Sequence, residues 1–146
     1  MLSPNQESAH KSILPYAKLG MNKTQAADLP VRPRTHTLIC SPSGTGKSYL
    51  MQRLGHDLDS PVLHLNVSNW QPIGSKGHNY TWDTIVEFLD KNPKGIIALD
   101  EIDKISSDAD WAGYIRLEIF SLLDGKIPNN VTIPSDETED DSDILW

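Results

Sequence analysis

The chain lacks a cysteine pair, a long hydrophobic run and a surplus of basic residues. Its 146 residues include one cysteine, Cys40, which has no second cysteine for an internal disulfide bond. The longest purely aliphatic run, Ile96-Ile97-Ala98-Leu99, is far shorter than the ~20 residues that a membrane-spanning helix needs. The N-terminus has neither a basic start nor an apolar segment of the secretory kind. These absences exclude a disulfide-rich or membrane-spanning chain and favour a cytoplasmic protein.

The charge balance argues against a broad basic face. Thirteen Lys and Arg residues stand against 20 Asp and Glu residues, which gives a net charge of −7. Six of the acids lie within residues 136–143, so the rest of the chain carries 13 basic and 14 acidic residues. Nothing in this composition requires the chain alone to grip a nucleic-acid duplex by its phosphates. The length and the 38% of hydrophobic residues predict one globular domain with a real core.

Hydrophobic periodicity predicts an α/β fold with a parallel sheet. Three short apolar runs are typical of buried parallel strands: residues 37–40, 62–66 and 95–100. A stripe at helical spacing follows each run, and the third stripe is closed by Gly125, a residue type that ends helices in the left-handed conformation. The stripes are Tyr49, Leu50, Leu54 and Leu58; Ile85, Val86 and Leu89 behind Thr81 or Asp83 as a cap; and Trp111, Ile115, Ile119, Leu122 and Leu123. This alternation favours crossover helices between parallel strands.

The first 30 residues differ in character from the rest. They mix three prolines with Ser, Asn, Gln and Lys, and they contain one short apolar patch. We therefore expect an irregular N-terminal lead-in over residues 1–30, with one or two helical turns at most. The core is predicted over residues 31–134, and residues 135–146 are predicted to be an acidic tail with the start of a further strand.

The first predicted strand runs directly into Ser41-Pro42-Ser43-Gly44-Thr45-Gly46-Lys47-Ser48, which we call the phosphate loop (residues 41–48). Backbone N–H groups can surround a phosphate only if the side chains are small, and Gly44 and Gly46 supply that freedom. Lys47 can then reach the β- and γ-phosphates, and Ser48 can offer its hydroxyl to Mg²⁺. The helix that follows presents its positive N-terminal end to the same anion.

The phosphate loop resembles the Walker A motif, with Ser41 in place of the first glycine. Serine at that position would cost backbone freedom if its φ were positive. The alternative is a Gly/Ser-rich turn from strand to helix that binds no ligand. The candidate cofactor-binding residues are Ser41, Pro42, Ser43, Gly44, Thr45, Gly46, Lys47, Ser48 and Tyr49.

A second chemical motif is the acid pair Asp100-Glu101, which ends the apolar run 96–99. In open α/β sheets, ligands bind at the carboxyl ends of the strands, where these carboxylates are expected. Asp100 would hold Mg²⁺, and Glu101 would orient and deprotonate the attacking water. Alone, such a pair is explained equally well by a helix N-cap beside a surface acid. Together with the phosphate loop, it favours the catalytic interpretation.

With both motifs, residues 31–125 resemble the AAA+ ATPases, a branch of the P-loop NTPases. Residues 95–105 look most like the Walker B segment of Clp-type unfoldases. The resemblance implies a three-layer α/β P-loop NTPase core with a parallel sheet, and ATP and Mg²⁺ as cofactors. It also implies Lys47 and Glu101 as catalytic residues and Ser48 and Asp100 as metal ligands. As partners it implies a homo-oligomeric ring or a complementing chain, and a remodelled substrate that is protein rather than nucleic acid.

Two features depart from that family pattern. Residues 70–80 occupy the place of the substrate-gripping pore loop but lack an aromatic-hydrophobic-glycine triplet. Trp70, Tyr80 and Trp82 either grip a polypeptide or bases, or anchor the loop by packing. Residues 143–146 read like the opening of the sensor-bearing strand, so we expect an incomplete AAA+ large subdomain with weak activity of its own. The alternatives are a non-hydrolysing nucleotide-binding module and a helicase-loader-like ATPase that remodels nucleic acid.

Overall fold

The computed structural model describes residues 1–22, 30, 35–76, 79–106 and 108–128. The elements in chain order are α1 (Pro4–Met21), α2 (Lys47–Asp57), β1 (Val62–Asn66), a 3-10 helix (Val67–Asn69), α3 (Thr81–Lys91), β2 (Ile96–Asp100), a second 3-10 helix (Ile102–Ser106) and α4 (Asp110–Leu123). β1 and β2 form a two-stranded parallel sheet, and α3 is the crossover between them. The predicted α/β class is confirmed. The predicted acidic tail and further strand, residues 135–146, lie outside the described residues.

The chain divides into two compact units. The first contains Met1–Val62 and Lys94–Ile96, and the second contains Leu63–Pro93 and the chain from Ile97 onward. The first unit therefore holds α1, the phosphate loop and α2. The second unit holds most of the sheet, together with α3 and α4.

Helix α1 contradicts the prediction of an irregular lead-in, because it spans 18 residues. Its start is a capping box: the Gln6 N–H donates to Ser3 Oγ at 3.4 Å, and the Ser3 N–H donates to Gln6 Oε1 at 2.8 Å. Pro4 occupies the first helical position, where its missing N–H costs nothing. Pro15 lies inside the helix without ending it. The prediction was wrong because it treated the prolines as breakers and overlooked the Ser3–Gln6 pair.

Residues 37–40 were predicted as the first strand, and the structure does not bear this out. They lie outside the sheet that the described residues form, which consists of β1 and β2. Leu38 is 72% exposed and Cys40 is exposed, whereas a central parallel strand is covered on both faces. A short apolar run indicates that its residues favour burial, but it does not specify a neighbouring strand to pair with. A strand in a sheet needs burial and a hydrogen-bonded neighbour.

The core of the second unit joins α3, α4 and the residues that follow β1. Its buried members are Val67, Trp70, Trp82, Ile85, Val86, Ile115, Ile119 and Leu122. Each large apolar side chain that is fully buried stabilises a fold by roughly 1.5–3 kcal/mol. Leu63 and Leu65 of β1 and Ile97 and Leu99 of β2 pack against this cluster, so it stabilises the sheet. Trp111 and Leu123 were predicted to share the buried stripe of α4, but they are 48% and 37% exposed. The buried face of α4 is therefore narrower than predicted.

The ends of α3 and α4 follow local sequence signals. The cap residue of α3 is Tyr80, not Thr81 or Asp83 as predicted, because the helix begins at Thr81. Asp83, the third helical residue, takes part in the cap: its side chain accepts a hydrogen bond from the Tyr80 N–H at 3.2 Å. Gly125 has a φ of 71° and ends α4 in the left-handed conformation. Its N–H donates to the Leu122 carbonyl at 3.1 Å, and the Lys126 N–H donates to the Ser121 carbonyl at 2.9 Å. Over the described residues, every helix is too short or too polar to cross a membrane.

Candidate functional site

The phosphate loop takes the backbone shape that its glycines predict. Gly44 and Gly46 have φ values of 77° and 83°, in the left-handed region that glycine adopts without a steric penalty. In the described part of the chain, the non-glycine residues with positive φ are Asp59 and Glu101. Ser41 is not one of them, so serine in place of the first Walker A glycine carries no such strain.

Side chains of the phosphate loop close it on itself. Thr45 Oγ1 donates to the Pro42 carbonyl at 2.8 Å and lies 2.7 Å from Ser41 Oγ. Lys47 Nζ donates to the carbonyl oxygens of Ser41 and Pro42, both at 3.0 Å. The ammonium of Lys47 therefore folds back over the start of the loop, and these contacts within the loop contribute to its shape.

The N-terminus of α2 suits an anion. Its cap residue is Gly46, no side chain caps it, and its first turn contains no acidic residue. Its first N–H groups are therefore without helical partners, at the positive end of the helix dipole. A side chain at Gly44 would meet no atom within 4 Å, so the loop is open there. Ser48 and Tyr49, the second and third residues of α2, are the other predicted ligands in this segment, and Tyr49 is 43% exposed. These features fit a bound triphosphate.

The acid pair lies in the second unit, at the carboxyl end of β2. Asp100 is the last residue of the strand, and its Oδ1 accepts a hydrogen bond from the Glu101 N–H at 2.9 Å. Both side chains are exposed, as ligands and catalytic groups need to be. Glu101 has a φ of 57°, the left-handed conformation that residues with a Cβ rarely adopt. Strain of this kind is concentrated at functional positions, which marks Glu101 as a candidate independently of its motif.

Sequence reasoning missed Ser68, which contacts Glu101 directly. Its hydroxyl donates a hydrogen bond to Glu101 Oε2. Ser68 lies in the 3-10 helix that follows β1, where its N–H donates to Asn66 Oδ1 at 2.8 Å. The available signal was topological, because the carboxyl ends of parallel strands meet at one edge of a sheet. This rule predicts that a polar residue just after β1 lies near the acid pair.

Sequence reasoning also missed Glu118, which anchors the segment after β1. Glu118 is on α4 and is 9% exposed. Its Oε2 accepts a hydrogen bond from Trp70 Nε1 at 2.7 Å, and its Oε1 accepts one from the Ile73 N–H at 2.6 Å. Trp70 is 4% exposed and Trp82 is 0% exposed, so the packing alternative is confirmed for both tryptophans. Neither can grip a substrate in this conformation.

The donors for a metal ion are sparse. Within residues that the structure describes, no group of three or more His, Cys, Asp or Glu side chains could hold a metal ion. The predicted Mg²⁺ ligands are one hydroxyl, Ser48, and one carboxylate, Asp100. Each is a donor type that Mg²⁺ accepts, since proteins commonly bind this ion through one or two carboxylates together with the phosphates of a substrate.

A left-handed glycine loop leading into a helix and an acid pair after a parallel strand define an α/β domain of the P-loop NTPase type. Residues 37–133, more than half of the chain, match the model of the ATPase family associated with various cellular activities, AAA. The chain therefore belongs to the AAA family.

A further comparison finds a relative among curated proteins. The chain is similar to the Replication factor C small subunit of Aeropyrum pernix, with 31% identity over 102 residues. The matched region covers 63% of this chain and 30% of that protein, so the chain spans about three tenths of the length of its relative. No solved structure matches the chain.

Proposed function

We propose that this chain is the ATP-binding part of an AAA+ ATPase that hydrolyses ATP with Mg²⁺ and remodels a macromolecule in the cytoplasm. The observation that carries the proposal is the uncapped, acid-free N-terminus of α2 directly after two left-handed glycines. Membership of an ATPase family supports it. Mg²⁺, when bound, neutralises charge that develops on the phosphates.

The proposed roles in the first unit belong to residues 41–49. The N–H groups of the phosphate loop and the first turn of α2 bind phosphate oxygens. Lys47 leaves the carbonyls of Ser41 and Pro42 and pairs with the β- and γ-phosphates. The Ser48 hydroxyl is a metal ligand.

The proposed roles in the second unit belong to the acid pair. Asp100 is the second metal ligand from the protein. Glu101 is the general base, which orients a water molecule and accepts its proton.

The test combines nucleotide titration with an assay of turnover. We expect MgATP to bind the wild type, and we expect Lys47→Ala to weaken binding by about tenfold or more, the loss of one charge-assisted contact. Glu101→Gln should leave affinity within about twofold and lower turnover by about 10²-fold or more, the usual contribution of a general base. Glu87→Gln, an exposed change on α3, is the matched control. If MgATP does not bind, the proposal is wrong.

The rival to an enzyme is a non-hydrolysing nucleotide-binding module. Under that alternative, Glu101→Gln changes neither affinity nor turnover, because the wild type has no turnover to lose. We propose slow hydrolysis by the isolated chain, since an arginine supplied in trans is worth ~10³–10⁵ in rate in related NTPases. Single-turnover measurement separates slow hydrolysis from none.

The substrate class is a proposal with two forms. The Clp-like Walker B segment, residues 95–105, favours a protein substrate, whereas similarity to a replication factor favours nucleic acid. We propose the protein substrate first, because the composition requires no basic face. Stimulation of turnover by unfolded casein supports that choice, and stimulation by single-stranded DNA supports the other. A ring or a complementing partner chain is proposed, and sedimentation of the Glu101→Gln protein with MgATP tests for a ring.

A further inference from the structure

The side chain of Gln6 on α1 contacts the predicted phosphate loop. Gln6 Nε2 donates to the Thr45 carbonyl at 3.0 Å and to the Gly46 carbonyl at 3.4 Å. The other end of the same carboxamide is also engaged, because Oε1 accepts the Ser3 N–H at 2.8 Å. The two contacts fix the orientation of the amide: its oxygen caps α1 and its nitrogen faces the loop.

The contact is close enough that a larger residue at position 46 would have to displace the end of the Gln6 side chain. A Cβ on Gly46 would lie 2.4 Å from Gln6 Nε2, well inside contact distance. Gly46 is also the cap residue of α2, and its carbonyl accepts the Leu50 N–H at 3.0 Å. Gln6 therefore contacts the residue at which the loop becomes a helix.

A second contact joins the same two helices. His10 Nε2, one turn further along α1, lies 3.0 Å from Asp57 Oδ2 at the end of α2. The side chains of His10 and Asp57 are 12% and 22% exposed, respectively. The position of Gln6 on the loop is thus supported by helix packing and does not depend on the mobility of one long side chain.

We propose that Gln6 is a positioning residue that holds the phosphate loop in its binding shape. A trans peptide directs its C=O and its N–H to opposite sides. By holding the carbonyls of Thr45 and Gly46, Gln6 sets the direction of the N–H groups of Gly46 and Lys47. Those N–H groups are donors to phosphate under the proposed function, on which this inference rests.

Gln6→Glu tests the inference with nearly the same side-chain shape. Glutamate is a usual capping-box residue, so the Ser3 contact and α1 are retained. A carboxylate oxygen then replaces the donor and faces the two carbonyl oxygens. We expect the Kd for MgADP to rise about tenfold or more. Gln52→Glu, an exposed position on α2, adds the same charge and should leave the Kd within about twofold.

Gln6→Ala separates positioning from charge, because it removes the donor without adding an anion. It also removes the oxygen that caps α1 through the Ser3 N–H. We expect its Kd for MgADP to rise about threefold to tenfold, because the contacts to the Thr45 and Gly46 carbonyls are lost. Hydrogen exchange of residues 43–48, measured without nucleotide, should speed up in both Gln6 variants and stay as in the wild type in Gln52→Glu. Far-UV circular dichroism should be the same in the wild type, Gln6→Glu and Gln52→Glu, all of which retain the capping box of α1.

Two results would overturn the inference. One is an unchanged Kd in Gln6→Ala, whatever its exchange rate, because the contact would then not shape the binding loop. The other is unchanged exchange in both Gln6 variants, which would leave charge repulsion as the whole effect. If the wild type binds no MgADP, the proposed function fails, and the exchange measurement still decides whether Gln6 orders the loop.

Discussion

The Ser68 hydroxyl donates a hydrogen bond to Glu101 Oε2, although the two residues are 33 positions apart in sequence. They follow β1 and β2, which are neighbours in the sheet. The bond occupies one of the two oxygens of the carboxylate that we propose as the general base. While this bond is formed, the Ser68 hydroxyl competes with water for that oxygen.

Ser68→Ala should raise ATP turnover. A hydrogen bond to a charged acceptor is worth about 1.5–3 kcal/mol, and only part of it is lost when water replaces the hydroxyl. We expect turnover to rise about threefold to tenfold in steady-state phosphate release, with little change in Kd for MgATP. Ser12→Ala, an exposed change on α1, is the control. Slower turnover in Ser68→Ala would mean instead that Ser68 holds Glu101 in its working position.

Glu118→Gln should destabilise the fold. Both oxygens of Glu118 accept hydrogen bonds, from Trp70 and Ile73, and an amide can satisfy only one of these donors through its oxygen. We expect the free energy of unfolding to fall by about 1–3 kcal/mol, the cost of a buried donor without a partner. Urea denaturation followed by circular dichroism measures it.

The control for this change is Glu87→Gln. Glu87 pairs with Lys91 on the surface of α3, with both side chains about two-thirds exposed at 67% and 66%. Exposed ion pairs of this type contribute about 0–1 kcal/mol. Equal urea midpoints for the Glu118 and Glu87 variants would show that the Glu118 contacts do not stabilise the segment after β1.

The parts of the fold that sequence patterns predicted are those with strong local signals. Residues 62–66 form β1 as predicted, and Gly125 ends α4 as predicted. Both predictions came from patterns of residues that are adjacent in sequence. Residues 37–40 failed as a strand because pairing depends on distant residues. Helix α1 was missed because its prolines were treated as helix breakers, whereas Pro4 occupies the first helical position, where proline is tolerated, and Pro15 lies inside the helix without ending it.

The candidate site divides in the same way. The left-handed glycines of the phosphate loop and the place of the acid pair followed from motifs whose geometry is local. Ser68 and Gln6 did not, since neither has a motif and each meets its partner through tertiary packing. Contacts of a 3-10 helix or of the first turn of α1 have no periodic signature in sequence.

Replacing the two phosphate-loop glycines by alanine should have unequal effects. Both have positive φ, so each alanine carries a penalty of about 1–2 kcal/mol for the left-handed conformation. A Cβ at Gly44 meets open space, whereas one at Gly46 clashes with Gln6. We expect Gly46→Ala to lower the melting temperature more than Gly44→Ala. The double variant Gly46→Ala with Gln6→Ala should recover part of the difference, and no recovery would argue against the clash.

Acid should weaken the packing at the end of α2 through Asp57. Hydrogen bonds from Arg53, and then from His56, hold the pKa of Asp57 below its ordinary value of 3.8. Because the folded-state pKa is lowered, this stabilisation is present above about pH 3.8 and is lost as pH falls through the folded-state value. We expect Asp57→Asn to melt at a lower temperature than the wild type at pH 6, and we expect the difference between the two melting temperatures to shrink as the pH falls below 3.8.

Circular dichroism melts from pH 6 to pH 3 measure this convergence. Asp90→Asn, an exposed change on α3, should give a curve with the same shape as the wild type. A constant gap between the Asp57→Asn and wild-type curves across the range would show that the carboxylate of Asp57 does not contribute through its charge.

The left-handed backbone of Glu101 sets stability and chemistry against each other at one position. Glycine or asparagine adopts a φ of 57° more readily than glutamate does, by about 1–2 kcal/mol for glycine. A library screened only for heat resistance should therefore enrich glycine at position 101, while a screen for phosphate release should restore the acid. The outcome of laboratory evolution at this codon would thus report which property the selection rewarded.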